Sequence, residues 1–372
     1  MSDVLRCVAT FGLNGDRGAP GSLSVPPDEC KGFAEEIRAR RLSGLALAAV
    51  DAQEILVPDE CRDDLVERLR SAMLWALQLE RTLVSLGSAL SNAGAAFVVL
   101  KGPAVAHTVY PDPSWRPFGD LDLLTVGRHW QRVCDVLEVA GFRRRMPEPR
   151  PGFNERFGQG TTYVNRDGAE VDLHRRLVFG EFGRWIDSDE LMERAIPFVL
   201  GGLELRRLDD TALMVHACVN ASLGGSRPAP LALRDVMQIA ESGRVDRGDL
   251  DAAVGRWRCR AVIRHAVAAL SRELSVDVPA ELRTVASVPA QRHELRALAA
   301  YTTERRRRGG KARSTLRALP GVRAKSAFVW SLVFPDRDFL AAREGSTKRT
   351  TYLRRWAAPL RWLSAGGDRG PA

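Results

Sequence analysis

Two aspartates stand two positions apart in Gly119-Asp120-Leu121-Asp122-Leu123-Leu124, on an apolar run of strand length. Successive side chains of an extended strand point to opposite faces, so Asp120 and Asp122 share one face and Leu121 and Leu123 the other. Carboxylates held side by side repel one another, and a divalent cation between them removes the repulsion. A lone Asp-x-Asp is short enough to arise by chance. What gives it weight is a second acidic run, Glu170-Val171-Asp172-Leu173-His174, with Glu170, Asp172 and His174 on one face and Val171 and Leu173 on the other. If that strand lies beside the first, Asp172 completes a cluster of three carboxylates. Such hard oxygen ligands suit two magnesium ions better than one zinc. The matching chemistry is phosphoryl or nucleotidyl transfer, one ion orienting the acceptor oxygen and the other holding a triphosphate.

Leu100-Lys101-Gly102, then Tyr110-Pro111, then Arg116-Pro117-Phe118-Gly119-Asp120-Leu121-Asp122-Leu123-Leu124 and Glu170-Val171-Asp172-Leu173-His174 follow in that order. The set resembles the polymerase-beta-like nucleotidyltransferase superfamily, and within it the bacterial branch of uncharacterised nucleotidyltransferases, from about Glu36 onward. The resemblance implies Asp120, Asp122 and Asp172 as metal ligands and catalytic carboxylates, Asp172 also taking a proton from the attacking hydroxyl. It implies Gly102 as the glycine whose backbone approaches the phosphates, with Lys101, Arg116, Gly119 and His174 around the nucleotide.

One departure matters: Pro103 follows Gly102 where the superfamily usually carries Gly or Ser, and proline offers neither an N–H nor a hydroxyl. It fits the first position of a helix with Gly102 as the turn before it, which leaves that helix start facing an anion and Lys101 and Arg116 carrying the phosphate charge.

The implied activity is magnesium-dependent transfer of a nucleoside monophosphate from a nucleoside triphosphate, ATP among them. The acceptor would be a small molecule or a natural-product or peptide intermediate. The competing readings are transfer to RNA or to a protein partner, as toxin-like relatives do, and a degenerate nucleotide-binding module. A nucleic acid is the less favoured partner.

The elements that must hold these residues are legible in outline. Ala95–Leu100 reads as a central strand buried on both faces, followed by the Gly102 turn and a helix from Pro103 to about Val109. Trp115 and Phe118, in the proline-rich loop before Asp120, either stack on a base or pin the loop. Tyr163–Arg166 and Ala169–His174 flank Asp167-Gly168, a hairpin signal of the type I′ turn. Phe198–Leu205 reads as a second hairpin about Gly201-Gly202. A helix is expected over Ala34–Val50. A longer one, Glu60–Asn92, carries Leu65, Leu69, Met73, Ala76, Leu79, Leu83, Leu86 and Leu90 at helical period, stopped by Gly94. Arg128–Ala140 reads as a helix and Arg143-Arg144-Arg145 as a basic loop.

From Asp209 the pattern turns helical: Thr211–Asn220, Leu231–Ser242, Leu250–Arg258 and Ala261–Leu274. His216, Arg234 and Asp235 stand out there, chiefly as buried contacts between helices. The fold class is therefore α+β: a small mixed β-sheet core flanked by helices, with an N-terminal helical lead-in and a C-terminal helical subdomain. The expected divisions are a flexible arm over 1–32, a helical segment over 33–94, the catalytic core over 95–207, the helical subdomain over 208–300 and a basic segment over 301–372.

Composition is that of a globular chain: 372 residues, 45% hydrophobic and 27% charged, with a net charge of +9 that suits an anionic partner. No apolar run approaches membrane-spanning length, and Met1–Arg6 lacks the basic-then-apolar start of a secretory signal. The six cysteines are scattered without a Cys-x-x-Cys pair, which argues against a zinc site or disulfide framework and for a reducing, cytoplasmic setting. Arg305–Arg308 and the aromatic, basic stretch Thr351–Leu363 read as a linker and docked helix, or as an acceptor, nucleic-acid or membrane surface.

Overall fold

The computed structural model describes residues 1–13, 23–224, 228–302 and 310–344. The strands of its main sheet are β1 (Val98–Val99), β2 (Leu121–Leu124), β3 (Arg143–Arg144), β4 (Gly160–Val164), β5 (Glu170–His174), β6 (Ile196–Leu200) and β7 (Leu203–Arg207). They form one seven-stranded mixed sheet in the order β3-β4-β5-β2-β1-β7-β6. The pairing of β2 with β5 is parallel and sets Asp122 opposite Asp172 and Leu123 opposite Leu173. In-register residues of neighbouring strands point to the same face, so this alignment brings the two acidic runs together.

The leucine face is dry. Leu121, Leu123, Val171 and Leu173 lie under Ala76, Leu79, Leu83, Leu86 and Leu90 of the long helix Asp59–Asn92 and under Trp130, Val133 and Leu137 of the helix Gly127–Val139. The long helix also reaches the strand entry directly, its Trp75 indole donating to the Gly119 carbonyl at 3.2 Å. The opposite face turns to a helical subdomain, Asp210–Leu223, Pro230–Glu241, Arg247–Arg256 and Arg260–Ala269, whose core takes in Val98, Leu100 and Leu124. Asp210–Leu223 is buried on nearly every side, as a helix apolar all round must be.

Both hairpins form, by different turns. Gly201 and Gly202 both have positive φ (55° and 79°), and Leu200 pairs with Leu203, the two-residue type I′ connection. At the acidic hairpin only Gly168 does so (φ 84°). There the Gly168 N–H donates to the Asn165 carbonyl and the Asn165 side chain accepts from the Asp167 and Ala169 N–H groups. The loop is therefore the longer form closed by a glycine bulge, because the Asn165 amide satisfies the extra backbone donors.

Three further expectations are corrected, and one left open is decided. The supposed N-terminal arm includes a helix, Asp3–Thr10, with Leu5, Val8 and Ala9 buried, and a strand pair, Leu23–Ser24 with Ile55–Leu56. Buried Arg234 holds that helix by donating to the carbonyls of Ala9 (3.3 Å) and Phe11 (2.5 Å). The stretch expected as one helix over Ala34–Val50 is two, Cys30–Ala39 and Ser43–Asp51, parted at Arg41 in the left-handed conformation. Arg143-Arg144 forms the charged edge strand rather than a loop, a composition that discourages further pairing. Trp115 and Phe118 pin their loop: Trp115 packs edge-on against Phe11 with ring centroids 5.3 Å apart, and Phe118 is buried in the leucine-face core.

Candidate active site

β2 supplies the centre of the site. Asp122 is 2% exposed; its Oδ1 lies 3.1 Å from His174 Nε2 and its Oδ2 3.1 Å from Lys101 Nζ. Burial opposes ionisation of Asp122, but the Lys101 ammonium and the His174 hydrogen bond outweigh it and hold the carboxyl well below the usual carboxylate range. Burial likewise pulls Lys101 down while Asp122 and Asp120 lift it, and the net shift is upward. Both groups are therefore charged at neutral pH. Lys101 reaches this place because the chain leaves β1 through Gly102, whose φ of 62° and ψ of −119° admit little but glycine. Pro103 then opens the helix Pro103–Thr108, at the first position as the sequence implied.

On β5, Asp172 accepts from the Thr162 hydroxyl at 2.5 Å. His174 Nδ1 stands 3.3 Å from the Gln159 amide nitrogen, which also donates to the Leu177 carbonyl at 2.9 Å. One ligand atom from each of Asp122, Asp172 and His174 falls within 4.8 Å of the others, and these three are the group among the described residues fit to hold a metal ion. The set differs from the expected Asp120, Asp122 and Asp172 in having His174 in place of Asp120. Asp120 turns instead to Arg41, whose Nη1 lies 3.6 Å from its Oδ1. Glu170 pairs with Arg145 at the edge of the sheet.

Two cavities flank Asp122. One, of about 430 Å³, is lined by Lys101, Gly102, Arg116, Asp120 and Arg41 together with Pro230–Ala232 of the helical subdomain. The other, of about 260 Å³, is lined by Gln159, Thr162, Asp172 and His174. Asp122 joins them: one oxygen meets a residue of the first cavity and the other a residue of the second.

Arg116 belongs to the wall rather than to the set of free phosphate cations. Its Nε and Nη2 each donate to Asp235 at 2.8 Å, and Tyr110 adds a third bond to Asp235 at 2.8 Å. Asp235 is thus a buried Arg–Asp contact, but one that ties its helix to the loop before β2, 119 residues away in sequence, rather than to another helix. His216, on Asp210–Leu223, faces the site; burial, then the Lys101 charge, lowers it to about 4, so it is neutral beside those ions. Arg41, Thr162 and Gln159 carried no sequence signal, Arg41 being one of several arginines in Arg38-Ala39-Arg40-Arg41. Arg305–Arg308 and Thr351–Leu363 lie outside the described residues. Among the described residues no helix is long and apolar enough to cross a membrane.

The cluster thus lies on a mixed sheet, with helices packed on one face and a helical subdomain on the other. A family profile described as uncharacterised nucleotidyltransferase matches residues 26–274, and the chain belongs to that family. Among solved structures, an antigenic nucleotidyltransferase-like protein from Paracoccidioides brasiliensis is similar at 16% identity with a TM-score of 0.34, over 54% of this chain and 93% of that one. A search of curated proteins found no match.

Proposed function

We propose that the protein transfers a nucleoside monophosphate from a nucleoside triphosphate to a hydroxyl acceptor, with a divalent cation at Asp122, Asp172 and His174. The observation that carries this reading is the convergence of one ligand atom from each of those three side chains within 4.8 Å, centred on a buried Asp122 whose two oxygens meet His174 Nε2 and the Lys101 ammonium. Two carboxylates with one imidazole are a donor set that magnesium or manganese accepts. The bound ion would neutralise charge on the phosphates and favour departure of pyrophosphate.

The protein groups have separate tasks. Lys101 and Arg41 meet the triphosphate from the larger cavity, and Asp120, on the same wall, is available to a second ion. Asp172 lies toward the smaller cavity, where it can take the acceptor's proton. Thr162 and Gln159 fix the orientation of Asp172 and His174. Most of the rate gain would come from positioning and from charges already in place.

Asp122→Asn and Asp172→Asn, incubated with α-labelled nucleoside triphosphates and magnesium, are expected to lose label transfer by at least about a thousandfold, on the scale of lost electrostatic stabilisation, while keeping a folded circular-dichroism spectrum. Transfer persisting in both variants would sink the assignment. The Lys101–Asp122 ion pair favours one competing reading, a nucleotide-binding module in which lysine stands in for the metal. That module would bind ATP equally with magnesium or with EDTA, which titration calorimetry reads directly.

A further inference from the structure

A third cavity, about 380 Å³ in volume, opens beside the site where Asp172 lies. It shares Gly160, Thr161, Thr162 and Phe179 with the small cavity that holds Asp172 and His174, so the two adjoin along β4. Its far wall comes from the C-terminal helices Gly310–Ala318, Gly321–Val333 and Arg337–Glu344, which lie beyond the segment 26–274 that matches the family.

That wall is firmly placed. Glu181, 4% exposed, ties the helix Gly310–Ala318 to the loop leaving β5 through Ser314 at 3.4 Å and Arg317 at 3.3 Å, with Arg296 at 3.2 Å on its other oxygen. The loop before β4 is tied to the next helix by Arg150, which donates to the Phe334 carbonyl at 2.7 Å, and by the Asp336 N–H on the Pro149 carbonyl at 2.7 Å.

The lining is aromatic. Phe153, Phe157 and Phe328 form a three-ring cluster with centroids 5.4 to 5.9 Å apart. The charged side chains among the described lining are Arg145 and Arg343; the first is paired with Glu170, and the second lies over the Phe339 ring at 5.7 Å. Such a pocket suits a flat apolar group and offers little to a polyol or a phosphate.

We infer that this cavity is the acceptor subsite, and that the acceptor is a neutral alcohol carrying an aromatic ring. The inference rests on the nucleotidyl-transfer reading above. With the ring against the cluster of Phe153, Phe157 and Phe328, the hydroxyl extends past Thr162 toward Asp172. The hydroxyl oxygen would bond to the α-phosphorus, the bond from that phosphorus to the bridging oxygen would break, pyrophosphate would leave with the electron pair, and the hydroxyl proton would pass to Asp172. Nucleotide and acceptor would thus approach Asp122 from opposite sides.

The probes are 2-phenylethanol and glycerol, each offered to the full chain with magnesium and α-labelled ATP. Wild type is expected to label phenylethanol with a kcat/KM at least tenfold above that for glycerol. Ala312→Phe, which fills the cavity from its far wall, should collapse that ratio toward one, mainly through the KM for phenylethanol. Met146→Trp fills it from a loop, where no helix has to repack, and should act alike if Ala312→Phe fails to fold. Equal use of both alcohols, or a ratio that survives both variants, would overturn the inference. Saturation-transfer NMR of phenylethanol separates this failure from failure of the nucleotidyl reading, since it needs no turnover. A signal lost in the filled variants supports the pocket, and no signal with wild type refutes it. Absence of label on any alcohol, with ATP binding indifferent to magnesium, refutes the nucleotidyl reading.

Discussion

Arg41→Gly should make the protein no less stable and its nucleotide site weaker. Arg41 ends the helix Cys30–Ala39 with φ of 58°; its N–H bonds to the Arg38 carbonyl and the Leu42 N–H to the Ile37 carbonyl, a Schellman stop with arginine where glycine is usual. A non-glycine residue there costs about 1 kcal/mol, which glycine would recover. Against that stands the ion pair with Asp120, 3.6 Å long, with side chains 51% and 24% exposed. A pair so exposed contributes about 0–1 kcal/mol. The net effect on folding is then about 0 to +1 kcal/mol, a melting temperature unchanged or raised by up to about 3 °C. Nucleotide binding should move the other way, because the cavity loses a cation that its remaining charges do not replace. A half-screened phosphate contact is worth about 1–2 kcal/mol, or roughly five- to thirtyfold in Kd for magnesium ATP. Differential scanning fluorimetry and titration calorimetry on wild type, Arg41→Gly and Arg41→Lys would measure both arms, with the lysine variant keeping charge and strain together. A lowered melting temperature in Arg41→Gly would show that the strain argument is wrong, and unaltered ATP affinity would remove Arg41 from the phosphate site.

Asp235→Ala leaves the buried Arg116 charge and the Tyr110 hydroxyl without their partner and should cost about 3–5 kcal/mol in urea denaturation. Arg116→Met combined with Asp235→Ala should regain much of this, and a double variant as unstable as the single one would contradict the pairing. His216 carries a pH signature: its folded value, held down to about 4 from 6.5 by burial and then by Lys101, means the unfolded chain binds a proton that the folded one refuses. Stability of the metal-free protein should therefore be intact above pH 6.5 and fall by up to about 3 kcal/mol toward pH 4. His216→Gln should flatten that fall, and an identical profile in EDTA would place the acid sensitivity elsewhere. Because an imidazole joins the ligand set, manganese should support turnover at least as well as magnesium; loss of activity on the exchange would argue for an all-oxygen site.

Local chemistry was legible in the sequence wherever a short stretch decides its own conformation. Gly201-Gly202, Gly102-Pro103 and the leucine stripe of the long helix each name their structure, because positive φ, a fixed proline φ and helical period are properties of a few neighbouring residues. The alternation around Asp122 and Asp172 correctly separated a chemical face from a leucine face. What stayed hidden depends on distant partners. Asp120 fell outside the candidate metal group and turned to Arg41, and His174 entered it because the parallel register sets it opposite Leu124, beside Asp122. Arg116 looked like a phosphate cation until Asp235 closed on it from a helix far along the chain. The glycines and prolines of 14–22 coloured the reading of the helix just before them, whose apolar side finds its cover in Arg234 and the helical subdomain.

The position of Asp122 also shows how one residue on a four-residue strand can stand between two cavities. A strand buried on both faces normally carries apolar side chains throughout, and a carboxylate placed there must be neutralised or shared. Asp122 is shared: Lys101, from the Gly102 turn, meets it on the side of the larger cavity, and His174, from the neighbouring strand, meets it on the side of the smaller one. Neither contact is local in sequence, and each is fixed by a different structural device, a glycine-proline turn in one case and a parallel register in the other. Displacing either should therefore be felt on both sides. Lys101→Met would leave Asp122 buried with one fewer counter-charge, so that a divalent cation becomes the main compensation. Its melting temperature should then rise more steeply with magnesium than that of wild type. A variant whose stability ignored magnesium would separate Lys101 from the ion and break the link between the two cavities.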